Sequence, residues 1–224
     1  MFYNCPSLKK VTMCDGVTKL ENNAFRDCKS LTDIRLGKYI TTIGNSAFAG
    51  CERFASFVLP DYVTKLEGYA FYGCKALQLI QIPVSVTEIQ GYCFFNTDLK
   101  KVYYKGAESD WNEINISQYG NELLLNAKRV SGKLKLAKPV IKTAKVTSAG
   151  YPKLTVKEVY GAVSYTWYRA TAKNGTYSKI KTVSGLSMTD KTAKKNKTFY
   201  YKVVANSGGS IKSTYSEAKK ITVK

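Results

Sequence analysis

The feature that most constrains this chain is a period. Phe2, Phe25, Phe48, Phe71 and Phe94 stand 23 residues apart, and so do Cys5, Cys28, Cys51 and Cys74. Leu8, Leu31, Phe54 and Leu77 keep the interval, as do Val11, Ile34, Phe57 and Ile80. Thr18, Thr41, Thr64 and Thr87 repeat too, each followed two residues later by Leu or Ile. Four full copies and a shortened fifth are present. One such unit is too small to bury its own apolar side chains. It buries them by stacking on the next, which builds a solenoid, and the period lies in the range of about 20–29 residues of leucine-rich repeats.

Within a unit, the Leu31-x-x-Ile34-x-Leu36 pattern gives a short strand with alternate residues pointing inward. It ends at Gly37, Pro60 or Pro83, which break a ladder. The Val-Thr-x-Leu stretch gives a second short strand. Asn22, Asn45, Gly68 and Gly91 at one position suit a left-handed backbone, as do Asn4, Asp27, Gly50, Gly73 and Asn96 at another. The Ala-Phe pair between these positions fits one turn of helix. The Ala-Phe-x-Gly-Cys-x-x-Leu phrase, the Leu-Pro strand end and the Val-Thr-x-Ile return resemble the BspA-like leucine-rich repeat family over residues 1–130. Residues 102–116, "VYYKGAESDWNEINI", look like the end of such an array. There Trp111 and Ile114 would cover the last coil, and "NELLLNAKRV" would add a final strand. Residue 1 falls in mid-unit, at the Ala position. The expectation is a fragment of a longer protein with more repeats and a secretion signal, since Phe-Tyr-Asn-Cys after Met1 is no signal peptide.

The period vanishes after about residue 134. A Lys-rich linker at 131–138 leads into residues 139–224, where short Val-, Tyr-, Thr- and Ile-rich stretches alternate with turn signals such as Asn174-Gly175. About seven strands here indicate an immunoglobulin-like β-sandwich. The phrases "VYGAVSYTWYRA", "GTYSKIKTV" and "SMTDKTAKKNKTFYYKVVA" resemble a bacterial fibronectin type III module. The resemblance puts Val156 where that family has a tryptophan and Phe199 at its corner tyrosine, with Trp167 as the bulky core residue. The whole is expected to be mainly β, a solenoid of 23-residue repeats plus a sandwich.

Charge separates the halves. Residues 1–127 hold 13 Lys+Arg and 13 Asp+Glu, whereas residues 128–224 hold 22 and 3, so the second half carries the whole net charge of +19. Lys191, Lys194, Lys195 and Lys197 cluster, with Lys153, Lys157, Lys179 and Lys181 adding to the field, and such a surface attracts polyanions. Anionic cell-wall polymers, acidic glycans and nucleic acid all carry that charge. Arg129 and Arg169 are the only arginines of this half, and arginine is what base-edge readout uses, so specific nucleic-acid recognition is disfavoured.

Catalytic chemistry finds little footing. The chain has no His, which removes Ser-His and Cys-His nucleophile pairs, and it has no Cys-x-x-Cys spacing and no Gly-rich phosphate loop. No cofactor or metal is expected. The periodic cysteines read as small buried residues. Cys14 and Cys93 break the pattern and are the candidates for reactive thiols. Glu67 and Glu88 stand 21 residues apart, about one period, near enough on adjacent coils to be weighed as an acid–base pair, but a solvated position outside fits them better. No run of about 18 apolar residues spans a membrane.

The expected activity is therefore binding. Residues pointing outward on the first strand, among them Lys10, Asp33, Arg35, Val58, Leu79, Gln81, Lys101 and Tyr103, form a mixed surface suited to a protein or glycan. The first expectation is a secreted or surface-displayed bacterial adhesion protein with the basic module as spacer or wall anchor. The alternative is a carbohydrate-binding accessory region of a larger extracellular enzyme.

Overall fold

The computed structural model describes residues 2–207 and 211–223. Met1 and Lys224, which the sequence places in its first and last phrases, lie outside them. The chain divides into two units, residues 1–134 and 135–224.

The first unit is a β-solenoid. Its coils contribute β1 (Lys10–Thr12) and β2 (Lys19–Leu20), β3 (Asp33–Arg35) and β4 (Thr42–Ile43), β5 (Ser56–Val58) and β6 (Lys65–Leu66), then β7 (Leu79–Ile82) and β8 (Glu88–Ile89). The terminal part holds β9 (Lys101–Tyr104), α1 (Glu108–Asn112), β10 (Asn115–Ile116), α2 (Glu122–Leu125) and β11 (Lys128–Ser131). Strands pair in parallel across coils, as in Val11 with Ile34 and Ile43 with Leu66. One ladder runs β10-β8-β6-β4-β2. The other is split into β1-β3 and β11-β9-β7-β5. The split falls at the coil where Phe54 and Phe57 replace Leu and Ile and crowd edge-on against Phe48 and Phe71.

The repeated residues each have a cause. Phe2, Phe25, Phe48, Phe71 and Phe94 stack at 5.4–5.7 Å between centroids. The hydroxyls of Thr41, Thr64 and Thr87 donate to the carbonyl of the preceding threonine at 3.2–3.3 Å. Thiols of Cys28, Cys51 and Cys74 donate to the Phe carbonyl of the coil before at 2.9–3.2 Å. The periodic cysteine is thus both a small core residue and a hydrogen-bond donor.

The expected helical turn around Ala-Phe is replaced by a third inter-coil ladder. The N–H groups of Asn23, Phe25 and Asp27 donate to Asn45, Ala47 and Ala49, while Ala24, Arg26 and Cys28 bond three residues back in their own coil. Alternate N–H groups thus point to the next coil and to the local turn. Asn4, Asp27, Gly50, Gly73 and Asn96 have positive φ as expected, but the other left-handed position lies one residue later, at Asn23, Ser46, Tyr69 and Tyr92. The cap matches its expectation: Trp111 and Ile114 are buried, Arg129 lies over the Trp111 ring and pairs with Glu108, and β11 joins β9.

The second unit has seven strands among its described residues: β12 (Ile141–Val146), β13 (Pro152–Val156), β14 (Ser164–Ala170), β15 (Ser178–Val183), β16 (Ser187–Thr189), β17 (Lys197–Asn206) and β18 (Lys219–Val223). They form two antiparallel sheets, β12-β13-β16 and β15-β14-β17-β18. Leu154, Val156 and Met188 from one sheet and Trp167, Tyr201 and Val203 from the other are buried. Asn174-Gly175 does not make a two-residue hairpin. Seven residues join β14 to β15, and the turn closes from the Gly175 N–H to the Ala172 carbonyl. Phe199, expected at the corner, lies beneath the Arg169 guanidinium, and it is the Tyr201 hydroxyl that donates to buried Asp190 at 2.9 Å.

Candidate functional site

On the strand face of the solenoid the first coils carry exposed side chains, although Ser56 of β5 is already buried. Lys10 pairs with Asp33 at 3.1 Å, Arg35 is exposed, and Val58 is 39% exposed. Leu79, Gln81 and Tyr103, expected to point into solvent, are buried, and Lys101 is half-buried. At Gln81 the cause is the chain beyond β11. The Leu134 N–H donates to Gln81 Oε1 at 2.8 Å, and Leu134 is itself buried. Burial also raises the Tyr103 pKa. Leu134, an apolar residue inside the lysine-rich stretch, was the signal for this cover.

Lys191, Lys194 and Lys195 are exposed between β16 and β17, and Lys197, also exposed, is the first residue of β17. The segment is fixed at its root by Asp190, which is 1% exposed and accepts four hydrogen bonds. Arg169 and Tyr201 donate to one oxygen at 2.7 and 2.9 Å, and the Thr192 N–H and hydroxyl to the other at 2.9 and 2.7 Å. Burial pushes the Asp190 pKa up, but these hydrogen bonds and the Arg169 charge outweigh it, so the carboxyl titrates below its ordinary value. Lys195 lies against Gly150 in the β12–β13 turn. Lys145 and Lys153 face each other across that hairpin, next to Thr189. Of the three carboxylates of this unit, Asp190 is held by Arg169 and Glu217 by Lys138. Among the described residues none of Lys191, Lys194, Lys195 and Lys197 has an ion-pair partner.

The paired-carboxylate and thiol readings resolve differently. Glu67 accepts from the Asn45 N–H at 3.0 Å, whereas Glu88 pairs with Lys65 at 2.9 Å, so the two serve separate structural contacts. Cys93 is fully buried, donates to the Glu67 carbonyl, and has its pKa pushed up to about 12 by burial. It is no reactive thiol. Cys14 is exposed.

The sequence reading missed an aromatic ridge on the turn face. Tyr69, Tyr72, Tyr92 and Phe95 are 41, 38, 38 and 43% exposed. Tyr69 stacks on Tyr92 at 5.1 Å and Tyr72 on Phe95 at 5.7 Å, while within each coil the two rings are tilted by 57° and 66°. Tyr69 and Tyr92 both hold φ 60°. A bulky residue there costs about 1–2 kcal/mol, and the same position holds Asn23 and Ser46 in earlier coils. The signal was available: Tyr69 and Tyr92 keep the period, as do Tyr72 and Phe95, without serving the core.

Solved structures with similar segments include a leucine rich cell surface protein from Faecalibacterium prausnitzii, 32% identical, covering 47% of this chain and 34% of that one with a TM-score of 0.43. A leucine-rich repeat protein from Bacteroides ovatus is 29% identical, covering 59% of this chain and 32% of that one with a TM-score of 0.47. This chain therefore spans about a third of the length of each. An Fn3-like protein from Clostridium thermocellum is 29% identical, covering 39% of this chain and 92% of that one with a TM-score of 0.36. No curated protein matches. The model of the BspA type leucine rich repeat region matches six copies over residues 1–121, more than half of the chain. With the stacked Phe, Thr and Cys positions all in register, this chain belongs to the BspA-type leucine-rich repeat family.

Proposed function

We propose that this chain is a non-catalytic binding protein displayed outside the cell, with the solenoid meeting a protein or glycan partner. The second unit then acts as a fibronectin type III-like sandwich that holds an anionic wall polymer. The strand order β12-β13-β16 and β15-β14-β17-β18 supports the sandwich reading. The cell-surface description of the Faecalibacterium protein supports the location. No helix among the described residues is long and apolar enough to cross a membrane.

The observation that carries the anchoring role is the run of four exposed lysines, three in the β16–β17 loop and one opening β17, next to buried Asp190 and, among the described residues, without carboxylate partners. Exposed cations held on a rigid root attract a polyanion at low configurational cost and release it in salt. The test is a quadruple Lys191, Lys194, Lys195 and Lys197→Gln variant titrated with a soluble polyphosphate and with purified wall teichoic acid. Loss of four contacts should lower the salt slope of log affinity by about 3, taking roughly 0.7 per contact. An unchanged slope would place the binding elsewhere or remove it.

A further inference from the structure

In the second unit a cleft of about 410 Å³ lies among the end of β14, the start of β15 and the β16–β17 loop. That is room for a small ligand. Part of its lining is apolar, from Ala170, Ile180 and Phe199. The rest is polar: Thr176, Ser178, Lys179 and Thr192 line it and are exposed, and Arg169 lines it half-buried. Arg169 is the fixed member. Its guanidinium lies over the Phe199 ring at 4.7 Å, and its Nη1 donates to Asp190 Oδ2 at 2.7 Å and to Thr192 Oγ1 at 3.1 Å. Among the described residues its Nε and Nη2 have no partner, so most of the guanidinium donors are left over on a side chain that is already held in place. Thr192 stands inside the lysine run, after Lys191 and before Lys194, so the cleft and the run share one loop.

We propose that this cleft seats one phosphodiester group of an anionic polymer. The inference rests on the reading of the second unit as the holder of such a polymer and names the group it recognises. Charge sets the valence. Arg169 is balanced by Asp190, so Lys179 is the one positive charge in excess in the lining, which matches a singly charged diester better than a doubly charged terminal phosphate. Geometry sets the shape. The donors come from β14, β15 and the β16–β17 loop, three separate stretches of chain around one space. A tetrahedral oxyanion accepts from several directions, whereas a carboxylate accepts close to its own plane. The guanidinium fork pairs with two oxygens of the group, and the Thr176 and Ser178 hydroxyls add donors. Ala170, Ile180 and Phe199 give the carbon atoms flanking a diester an apolar surface. Because Arg169 is held before the ligand arrives, little side-chain freedom is lost on binding. The lysine run then gathers the chain by charge, and the cleft fixes one link of it.

The experiment titrates the full chain with bis(glycerol) phosphate, a single diester unit, and with methyl sulfate and acetate, followed by nitrogen-15 NMR. The diester should bind at about millimolar affinity, shifting the Arg169 Nε–H and the Ser178 and Thr192 amides, and the other two anions should bind more weakly. Lys179→Gln changes an exposed residue and should weaken the diester about fivefold in a folded protein. Arg169→Lys keeps the charge but loses the fork, and should weaken it about tenfold. Should that variant fail to fold, Lys179→Gln and Ser178→Ala carry the test. The proposal is overturned if the diester causes no saturable shift, if Lys179→Gln binds as the parent does, or if methyl sulfate or acetate binds as tightly. It is also overturned if the diester shifts move to the lysine run and are lost in the quadruple Lys→Gln variant, which would leave the run as the whole site. The lysine reading fails separately: in that case the quadruple variant keeps the full salt slope for the polymer while the diester still occupies the cleft.

Discussion

Asp190 shows what a single residue can hold in place. A buried carboxylate with four donors is stabilising only while it is ionised. Its native pKa lies below the ordinary unfolded value of about 3.9. Its contribution is therefore complete above that value and is lost as the pH falls through the native pKa. Thermal melts from neutral to acidic pH, compared with Asp190→Asn, check this. The variant should start about 2–4 kcal/mol less stable, because the amide keeps only one acceptor oxygen for four donors and cannot balance the Arg169 charge, and the gap should narrow on acidification. Parallel pH profiles would contradict it. The sequence placed the corner at Phe199 because the family pattern was aligned by position. The decisive contact joins Asp190 to Tyr201 across eleven residues, and no local periodicity encodes it. The left-handed site was misplaced by one residue for a related reason. Asn22 and Asn45 are the natural occupants of such a backbone, but Asn22 is used as an acceptor for the Asn45 N–H at 2.9 Å.

At the scale of elements, the solenoid depends on how its open ladder is closed. In the middle coils the N–H of each core Phe donates to a carbonyl of the next coil. Phe94 has no regular coil beyond it, and the Asn121 side chain takes over. Its Oδ1 accepts from the Phe94 N–H at 3.2 Å, and its Nδ2 donates to the Gln90 and Ser117 carbonyls at 2.9 and 2.8 Å. Asn121→Leu strands one buried and two half-buried backbone groups and should destabilise the first unit by about 3 kcal/mol, read as a shift in the denaturant midpoint. A change under about 0.5 kcal/mol, typical of a surface site, would refute the capping role. The strands and the Phe stack were legible because they follow the period. The third ladder was not. Two residues are too few to nucleate a helix, while carbonyls of the next coil wait at 2.8–2.9 Å. That competition is decided by stacking, which no single unit displays. The burial of Leu79, Gln81 and Tyr103 was hidden likewise, because in the case of Gln81 the covering segment follows some fifty residues later in the chain.

For the whole molecule, the division of charge is the organising fact. The repeat unit is neutral and presents exposed aromatic rings, whereas the second unit is basic and presents lysines that have no ion-pair partner among the described residues. Attraction to a polyanion through those lysines would weaken with salt. The most direct measurement is cosedimentation of the full chain with purified Gram-positive cell walls, intact and stripped of teichoic acid, across about 50 to 200 mM salt. The account predicts binding to intact walls that falls steeply with salt and drops sharply on stripping. Equal pelleting with intact and stripped walls at every salt concentration would contradict it, leaving the positive charge of the second unit without a wall polymer to hold.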